Sequence, residues 1–301
     1  MNHVIGVDTG NKCIKTVNNV FISGVKSHAI KPAISDEVLE YKGVYYTLTS
    51  ERIAYLQDKT ETDEYFILTL FAIAKELNHR KISKDGCVKI DLAVGLPPSH
   101  LSRLQEPFAQ YFKKSFVAFK YNGEDFLISV ENVKTFPQGY AAIIPSYSNI
   151  RQIPKSYIID IGGYTTDVIL LKNGVPDMAF CESLNFGVIE LYNRIQRRIA
   201  AEFGRSPDEA QIDSVWETGE EIFRTMSQTI QKETEAYVDE IFRRLHEMGI
   251  DLILSHAILI GGGSIKLKRF IDASPYLARR TYIDSIQANA IGYEALAENL
   301  N

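Results

Sequence analysis

The spacing of apolar residues along this chain alternates between the strand pattern and the helix pattern, and one layout occurs twice. Unbroken apolar runs predict buried strands at 4–7 and 157–159. Each run is followed by an aspartate, a turn that contains glycine, and a second short strand, around 13–17 and at 168–171. The sequence thus predicts two hairpins of the same design, one near the start of the chain and one near its middle.

The two hairpins carry matching polar residues. Asp8-Thr9-Gly10 in the first corresponds to Asp160-Ile161-Gly162 in the second, and we interpret the pair as an internal pseudo-repeat. Glycine permits a sharp turn and the close approach of a ligand, and successive backbone N–H groups in such a turn form a concave site for an anion. A Gly-Gly turn alone is also typical of an ordinary hairpin. The repetition favours two facing hairpins that grip phosphates from both sides.

Helical and strand patterns alternate through the rest of the chain. Residues 18–62 are predicted to form a small β-rich insert with a hairpin turn at Lys42-Gly43, and Ser99 is predicted to cap a helix. This alternation indicates an α/β protein with two domains and one sheet in each half. The predicted helices are 63–79, 100–113, a short one from 139 through 142, 186–203, 213–248 with Gly249 as its C-terminal cap, one after Ser264, and 285–300. Gly219 can break the helix at 213–248 near its start, and Gly292 in the last helix indicates either a close helix approach or a tolerated glycine. The further strands are 89–95, then 116–121 and 126–130 around an Asn122-Gly123 turn, one ending near 136, 176–184 and 256–260.

Composition narrows the functional classes. The chain has 301 residues, of which 45% are hydrophobic and 24% charged, as in ordinary globular proteins. Its net charge of -5 gives no general reason to expect direct DNA binding. The three cysteines, Cys13, Cys87 and Cys181, are far apart and odd in number, so we expect a reducing cytoplasm and no disulfide framework. We expect no signal peptide and no membrane span, because no long apolar run is present.

Four stretches carry the residue types that hold a nucleotide. Two aspartates facing a triphosphate would repel it unless Mg²⁺ lies between them, held largely through water because this ion dehydrates reluctantly. A lysine neutralises phosphate charge as a point cation, and a glutamine amide can orient water. Phosphoryl transfer needs mainly positioning and charge stabilisation. The candidates are Asp8, Gly10, Asn11 and Lys15 in the first hairpin, Asp160, Gly162, Gly163 and Thr165 in the second, Gln138 after one strand, and Gly261, Gly262 and Gly263 after another.

Each candidate also has a structural explanation. Asp8 and Asp160 are residue types that form turns, Lys15 suits a solvated strand position, and Gln138 suits the cap of a helix beginning at Gly139. Glycine-rich turns occur in many loops. The chain has no GxxxxGK[ST] element and no kinase-type loop with a catalytic aspartate, which disfavours those two common ATP-binding folds.

Five motifs together resemble the superfamily of actin, sugar kinases and heat-shock chaperones. They occur in the family's order of phosphate 1, connect 1, phosphate 2, adenosine and connect 2, and they run from residue 4 to residue 296. Within the superfamily, the chain is most similar to the bacterial ParM/StbA proteins of plasmid segregation. The motifs are IGVDTGNKCIK, TFPQGYAA, YIIDIGGYTTDV, ILIGGGS and NAIGYEAL.

The resemblance implies a fold and a set of residue roles. The fold would be two actin-like, ribonuclease-H-like domains flanking a nucleotide cleft, with small subdomain insertions. Asp8 and Asp160 would organise Mg²⁺ and its water, Lys15 would contact phosphate, and Gln138 would position the attacking water. The phosphates would be held by the backbone of Gly10, Asn11, Gly162 and Gly163, the adenosine would lie by Gly261–Gly263, and Gly187 would be a second glycine on the nucleotide side. Tyr164 departs from the family, where small residues are frequent.

The resemblance also implies a function. An ATP-dependent filament would assemble with ATP and Mg²⁺, hydrolyse ATP and become unstable, and a ParR-like adaptor would link it to plasmid DNA, with no membrane involved. ATP and GTP both remain open. The domains would be 1–150, with the insert at 18–62, then 151–285, with a helical subdomain at about 190–249, and 286–301 returning to the first domain. The alternatives are a small-molecule kinase of the same superfamily and a nucleotide-binding scaffold that does not polymerise.

Overall fold

The chain divides into two compact units. The structure, a computed structural model, describes residues 2–33, 35–54, 56, 58–219 and 224–300. The first unit joins Met1–Pro145 to Gln287–Asn301, and the second is the continuous stretch Ser146–Ile286. We describe each unit separately.

Strands and helices alternate along both units. The strands within the described residues are β1 (His3–Thr9), β2 (Cys13–Thr16), β3 (Val20–Ile22), β4 (Val25–His28), β5 (Val38–Tyr41), β6 (Val44–Leu48), β7 (Val88–Leu96), β8 (Val117–Tyr121), β9 (Glu124–Pro137), β10 (Lys155–Ile161), β11 (Thr166–Lys172), β12 (Val175–Leu184), β13 (His256–Ile260) and β14 (Arg279–Tyr282).

The helices lie between these strands. They are α1 (Glu64–His79), α2 (Pro98–Phe112), α3 (Tyr147–Ile150), α4 (Val188–Phe203), α5 (Glu209–Thr218), α6 (Arg224–Glu247), α7 (Gly261–Lys266), α8 (Lys268–Ala273) and α9 (Ala288–Glu298), with a 3₁₀ helix at Ala141–Ser146. None of the helices in the described ranges is both long and apolar enough to cross a bilayer.

The two sheets share a pattern of strand directions. The first unit contains a nine-stranded sheet in the order β3-β2-β1-β7-β9-β8-β5-β6-β4, and the second a five-stranded sheet in the order β12-β11-β10-β13-β14. In each, a central strand pairs antiparallel with its hairpin partner on one side and parallel with a later strand on the other. The predicted pseudo-repeat is therefore present in the topology, and the predicted α/β class with one sheet in each half is confirmed.

Helix α1 covers one face of the first sheet. It is apolar around most of its circumference and buried along most of its length, as the sequence pattern predicts. Its one buried acid, Glu76, accepts hydrogen bonds from the Thr16 hydroxyl, the Asn18 backbone N–H at 2.9 Å and Arg80 Nε at 2.8 Å. Burial alone would raise the pKa of Glu76, but the bonds from Thr16 and Asn18 hold it below its ordinary value. The Glu76 carboxylate thus links α1 to the end of β2 by hydrogen bonds.

The C-terminal helix α9 packs on the first sheet through glycines. A Cβ atom at Gly292 would lie 1.8 Å from the Ala141 carbonyl oxygen, and one at Gly6 would lie 2.2 Å from the Ala290 carbonyl oxygen. Tyr293 of α9 fills the space above Gly95, where a Cβ would lie 2.0 Å from the tyrosine hydroxyl. The close helix approach predicted from Gly292 is confirmed.

The predicted hairpin turns form at their expected residues. Lys42 and Gly43 both adopt positive φ, at 52° and 77°, between β5 and β6. Asn122 and Gly123 do the same between β8 and β9, at 53° and 86°. This backbone conformation matches the twist of two-residue hairpins and suits asparagine and glycine. The strands of the predicted insert at 18–62 extend the first sheet, with β5 pairing β8; Ile34, Tyr55 and Gln57 of that insert lie outside the described residues.

Two helices occupy the stretch 213–248, so the prediction of one long helix is wrong there and its alternative, a break at Gly219, is confirmed. Asp208 caps α5 in a capping box with Gln211, so the helix begins before Asp213. Gly219 adopts φ 71° and ends α5 in the left-handed region. Residues 220–223 of the prediction lie outside the described residues. The predicted end at Gly249 is confirmed, since its N–H donates to the His246 carbonyl in a Schellman turn.

Other predicted boundaries also change. The strands predicted at 126–130 and near 136 form one continuous strand, β9. Helix α2 begins at Pro98 with Pro97 at the cap position, so Ser99 is not the cap; proline suits the first helical turn because it needs no N–H partner there. The helix expected after Ser264 already begins at Gly261, which puts the three glycines in its first turn. Strand β14 has no counterpart in the prediction.

Candidate functional site

In the first unit, the hairpin β1–β2 holds an acid and a lysine face to face. Asp8 is the penultimate residue of β1, is 3% exposed, and lies opposite Lys15 in the antiparallel register. The Lys15 Nζ lies 2.9 Å from the Asp8 Oδ2. Because this lysine is paired with a buried carboxylate, the explanation of Lys15 as a merely solvated strand residue is wrong. The pair places a neutralised carboxylate directly before the turn.

The turn of this hairpin is too tight for a side chain at Gly10. A Cβ there would lie 2.7 Å from the Cys13 carbonyl oxygen and 3.3 Å from the Lys15 ammonium. The next residue, Asn11, accepts a hydrogen bond at its Oδ1 from the Tyr65 hydroxyl at 3.1 Å. The turn therefore presents backbone at position 10, and Tyr65 of α1 orients the Asn11 side chain.

Gln138 reaches the same carboxylate from another element. It follows β9 directly, its backbone N–H donates to the Leu96 carbonyl at 2.9 Å, and its side-chain Nε2 donates to the Asp8 Oδ1 at 3.4 Å. The predicted helix start at Gly139 is wrong, because the 3₁₀ helix begins at Ala141. The N–H of Gly139 is instead bound by the Asn289 side chain at 2.9 Å. Gln138 is thus a turn residue whose amide contacts Asp8.

In the second unit, the hairpin β10–β11 has the same layout with a different charge. Asp160 is penultimate in β10, as Asp8 is in β1, and it lies opposite Asp167 in the register. The turn at 162–165 is closed by a hydrogen bond from the Gly162 N–H to the Thr165 carbonyl at 2.8 Å. The Thr165 hydroxyl donates to the Asp167 Oδ2 at 2.9 Å. Two carboxylates, rather than an acid and a lysine, face each other at this position.

Gly187 supports the second turn from behind. The first two N–H groups of α4, from Val188 and Ile189, donate to the carbonyls of Gly162 and Gly163 at 3.0 and 2.8 Å. A Cβ at Gly187 would lie 2.3 Å from the Gly163 carbonyl oxygen and 2.5 Å from the Tyr164 carbonyl carbon. The turn with its bulky Tyr164 therefore fits because position 187 has no side chain.

The three glycines at the start of α7 differ in what surrounds them. Gly261 has φ 86°, and its Cβ would lie 2.3 Å from the Asp160 Oδ1. At Gly263 a Cβ would lie 2.4 Å from the Ile161 side chain. A Cβ at Gly262 would meet nothing within 4 Å. Gly261 thus brings backbone against the carboxylate of Asp160, whereas Gly262 borders open space.

Within each unit, the structure brings the predicted residues together. Lys15 and Gln138 both contact the Asp8 carboxylate, and Asp160 contacts Gly261. Sequence reasoning missed three residues at these places: Asp167, Lys59, whose ammonium reaches the Thr9 carbonyl, and Asn289. A signal existed for Asp167, because it follows Asp160 by seven positions as Lys15 follows Asp8.

Each unit contains a buried hydroxyl beside its predicted nucleotide residues, as a polar ligand such as a nucleotide requires. The buried hydroxyls of Thr9 and Ser264 make no hydrogen bond with any part of the chain that the structure describes. Both lie next to predicted phosphate or adenosine residues, and Gly262 leaves room beside one of them. The described ranges contain no cluster of three or more His, Cys, Asp or Glu residues that could enclose an ion.

Comparison with known proteins agrees with this architecture. A family model described as the N-terminal domain of actin-like proteins matches residues 6–140, and a model described as the C-terminal part of archaeal MreB-like actin homologues matches 158–273. No curated protein matches the sequence.

Several solved structures share the fold along the whole chain. The archaeal actin homologue Ta0583 superposes with a TM-score of 0.76 at 22% identity over 99% of both chains, and it has also been solved with ADP. A 15-stranded ParM filament from Clostridium botulinum gives a TM-score of 0.77 at 19% identity over 99% of this chain and 100% of that one. A filament of AlfA bound to AMPPNP gives 0.63 at 15% over 100% and 99%. The chain is therefore an actin-like protein, with an N-terminal domain of the actin-like type followed by an MreB-like C-terminal domain.

Proposed function

We propose that this protein is an ATPase that binds ATP with Mg²⁺, polymerises into dynamic filaments and hydrolyses the nucleotide. We further propose that the filaments segregate plasmid DNA through a ParR-like adaptor, so that the chain contacts DNA only indirectly. The observation that carries the proposal is the contact of Gln138 with Asp8, because it joins a water-orienting amide to an acid suited to organise a metal. The predicted domains 1–150, 151–285 and 286–301 and a cytoplasmic location belong to the same proposal.

The first unit supplies charge and orientation in this proposal. Lys15 pairs with Asp8 and would contact a phosphate oxygen as a point cation. The Gln138 amide donates to Asp8, which leaves its carbonyl oxygen to accept a hydrogen bond from an attacking water. Gly10 and Asn11 present backbone N–H groups because the turn excludes a side chain at position 10.

The second unit supplies the remaining carboxylates. Asp160 and Asp167 lie opposite each other on neighbouring strands and place two carboxylates beside the second turn. Mg²⁺ would neutralise developing charge on the phosphates when it is bound there. Gly261 packs closely against Asp160 and so orients its carboxylate. The turn that α4 supports presents the backbone of Gly163 and Thr165.

Two lines of support favour a filament over the alternatives. Proteins of the same fold, the ParM of Clostridium botulinum and AlfA, have been solved as filaments, the latter with AMPPNP bound. A small-molecule kinase needs a base for its acceptor hydroxyl, and the residue that reaches Asp8 from the connection after β9 is an amide. A scaffold without turnover would have no use for that amide.

Sedimentation with a parallel phosphate assay tests the proposal. We expect pelleting that depends on nucleotide and Mg²⁺, measured with ATP and with GTP, and phosphate release that lags behind it. A protein that stays monomeric at tens of micromolar with either nucleotide would refute the filament. Release that requires an added sugar or other acceptor would support a kinase instead.

A further inference from the structure

The backbone around Gln138 is held on both sides of its Cα atom. Its own N–H donates a hydrogen bond to the Leu96 carbonyl at 2.9 Å. The N–H of the next residue, Gly139, donates to the side-chain oxygen of Asn289 at 2.9 Å. The Gln138 carbonyl accepts from the Tyr140 N–H, also at 2.9 Å. Because both flanking peptide groups are bound, the direction in which the Gln138 side chain leaves the backbone is set.

Helix α9 supports this turn at a second point. Gly292 follows Asn289 by three positions, so the two residues lie on the same face of the helix. A Cβ atom at Gly292 would lie 1.8 Å from the carbonyl oxygen of Ala141, the first residue of the 3₁₀ helix. One face of α9 therefore contacts the chain at both residue 139 and residue 141.

The same helix also holds the strand that carries Asp8. The Glu294 carboxylate of α9 accepts hydrogen bonds from the Gly6 N–H at 2.9 Å and from Arg80 Nη2 at 2.8 Å. Arg80 Nη1 donates to the Val4 carbonyl at 2.8 Å. This ion pair therefore binds the edge of β1 on either side of residue 5. Helix α9 thus fixes β1 two residues before Asp8.

The contact between Gln138 and Asp8 depends on how these two backbones are placed. The Gln138 Nε2 lies 3.4 Å from the Asp8 Oδ1, at the long end of the range for a hydrogen bond. A shift of a few tenths of an ångström would break this bond, because hydrogen bonds weaken steeply beyond that range. Since α9 binds the chain beside both residues, we expect the contact to depend on α9.

We propose that Asn289 is a positioning residue for hydrolysis, which acts through Gln138. Its side-chain oxygen fixes the peptide group between Gln138 and Gly139, so that the glutamine amide stays within reach of Asp8 and of the water that it orients. This inference rests on the proposed function, because it assumes that Gln138 takes part in phosphate release. A residue in this role changes the rate of hydrolysis and leaves nucleotide affinity unchanged.

The variants Asn289→Ala and Asn289→Asp test this role. The first removes the acceptor for the Gly139 N–H, and the second keeps an acceptor oxygen in its place. A small misplacement of a catalytic group costs up to about 100-fold in rate. We expect Asn289→Ala to release phosphate about 10- to 100-fold more slowly, with unchanged ATP affinity and filament pelleting, and Asn289→Asp to retain most of the rate.

Asn299→Ala is the matched control. It makes the same substitution on the same helix, at an exposed residue whose amide donates to the Ala295 carbonyl of α9 itself. We expect this variant to release phosphate as the unchanged protein does. Amide hydrogen exchange followed by NMR, without nucleotide, provides a structural readout: the Gly139 N–H should lose protection in Asn289→Ala and keep it in Asn289→Asp and Asn299→Ala.

Combining Asn289→Ala with Gln138→Ala separates positioning from a general effect on packing. Effects of independent residues multiply, whereas a residue that acts through another adds nothing once that other residue is gone. We therefore expect the double variant to release phosphate at the rate of Gln138→Ala alone.

Four outcomes would overturn the inference. Asn289→Ala could match Asn299→Ala in rate, or its effect could multiply with that of Gln138→Ala. It could also lose ATP affinity in parallel with rate, which would mean that Asn289 only supports the fold. If the unchanged protein releases no phosphate from ATP, the proposed function fails together with this role, and that result is distinguishable from the other three because they require an active unchanged protein.

Discussion

Gly262 offers a sharp test of nucleotide binding. A methyl group added at this position should leave the stability of the protein intact but weaken its affinity for the nucleotide. The residue lies in the first turn of α7, and a Cβ there would meet nothing within 4 Å. Gly262→Ala therefore creates no clash with the protein. If the adenosine lies beside the three glycines, however, the methyl group enters the space that the ligand needs.

The expected magnitudes are separable. Replacing glycine by alanine at a compatible helical position stabilises a protein by about 0.4–1 kcal/mol, mainly by restricting the unfolded chain. Crowding a ligand by one methyl group costs about 1–3 kcal/mol, roughly a 5- to 150-fold loss of affinity. We expect Gly262→Ala to be slightly more stable than the unchanged protein and to bind ATP more weakly by that factor.

Gly261→Ala is the matched control. Its φ of 86° is strained for any residue with a Cβ, at about 1–2 kcal/mol, and the new atom would lie 2.3 Å from the Asp160 Oδ1. Overpacking adds about 1–3 kcal/mol, so we expect Gly261→Ala to lower the free energy of unfolding by about 2–5 kcal/mol. Urea unfolding followed by circular dichroism measures stability, and titration calorimetry with ATP measures affinity.

A Gly262→Ala protein that is stable and binds ATP with unchanged affinity would contradict this prediction. The open space at position 262 would then not be used by the nucleotide. A Gly262→Ala protein that is less stable than Gly261→Ala would contradict the packing argument itself.

The remaining predictions concern hydrolysis, packing and pH. Gln138→Ala should slow phosphate release about 100-fold or more while filaments still pellet, because the amide orients water but holds no structure beyond Asp8; unchanged release would remove Gln138 from the mechanism. Asp160→Asn should abolish Mg²⁺-dependent phosphate release while leaving the free energy of unfolding within about 1 kcal/mol of the original, since the change is isosteric; full activity would refute its metal role. Gly292→Val should lower the unfolding free energy by about 3 kcal/mol or more, because a Cβ would lie 1.8 Å from the Ala141 carbonyl oxygen; a neutral effect would mean that α9 does not pack as described. The stability contributed by ionised Glu76, whose pKa is lowered in the folded protein, should be present above pH 4.5 and be lost as the pH falls further; if Glu76→Gln shows the same acid sensitivity below pH 4.5 as the unchanged protein, another group is responsible.

The sequence predicted the hairpins and the glycine contacts because those features depend on local patterns. A strand, an acid and a glycine turn occur within a few residues at Asp8 and again at Asp160. The positive φ of Gly43 and Gly123 follows from the Lys-Gly and Asn-Gly turn sequences in which they occur. Gly292 was likewise identifiable as a close contact, because glycine destabilises a helix interior and often marks a place where another element packs closely.

The missed features depend on partners that are distant in the chain. Lys59 is 50 residues from Thr9, and Asn289 is 150 residues from Gly139. Neither pairing leaves a periodic signal. The break at Gly219 was ambiguous because the residues on both sides have helical spacing. The start of α7 at Gly261 was missed because glycine is a poor helix former, and tertiary packing against Asp160 and Ile161 overrides that preference.

The discontinuous first unit has a consequence for synthesis. Its strands leave the ribosome early, but α9, which fills the space above Gly6 and Gly95, is made only after the whole of the second unit. At ordinary elongation rates the delay is roughly ten seconds or more. During that time the apolar surface that receives Tyr293 stays uncovered, whereas Ser146–Ile286 is already a complete folding unit. Nascent chains that stall before α9 should therefore be the form of this protein that depends most on chaperones and aggregates most readily.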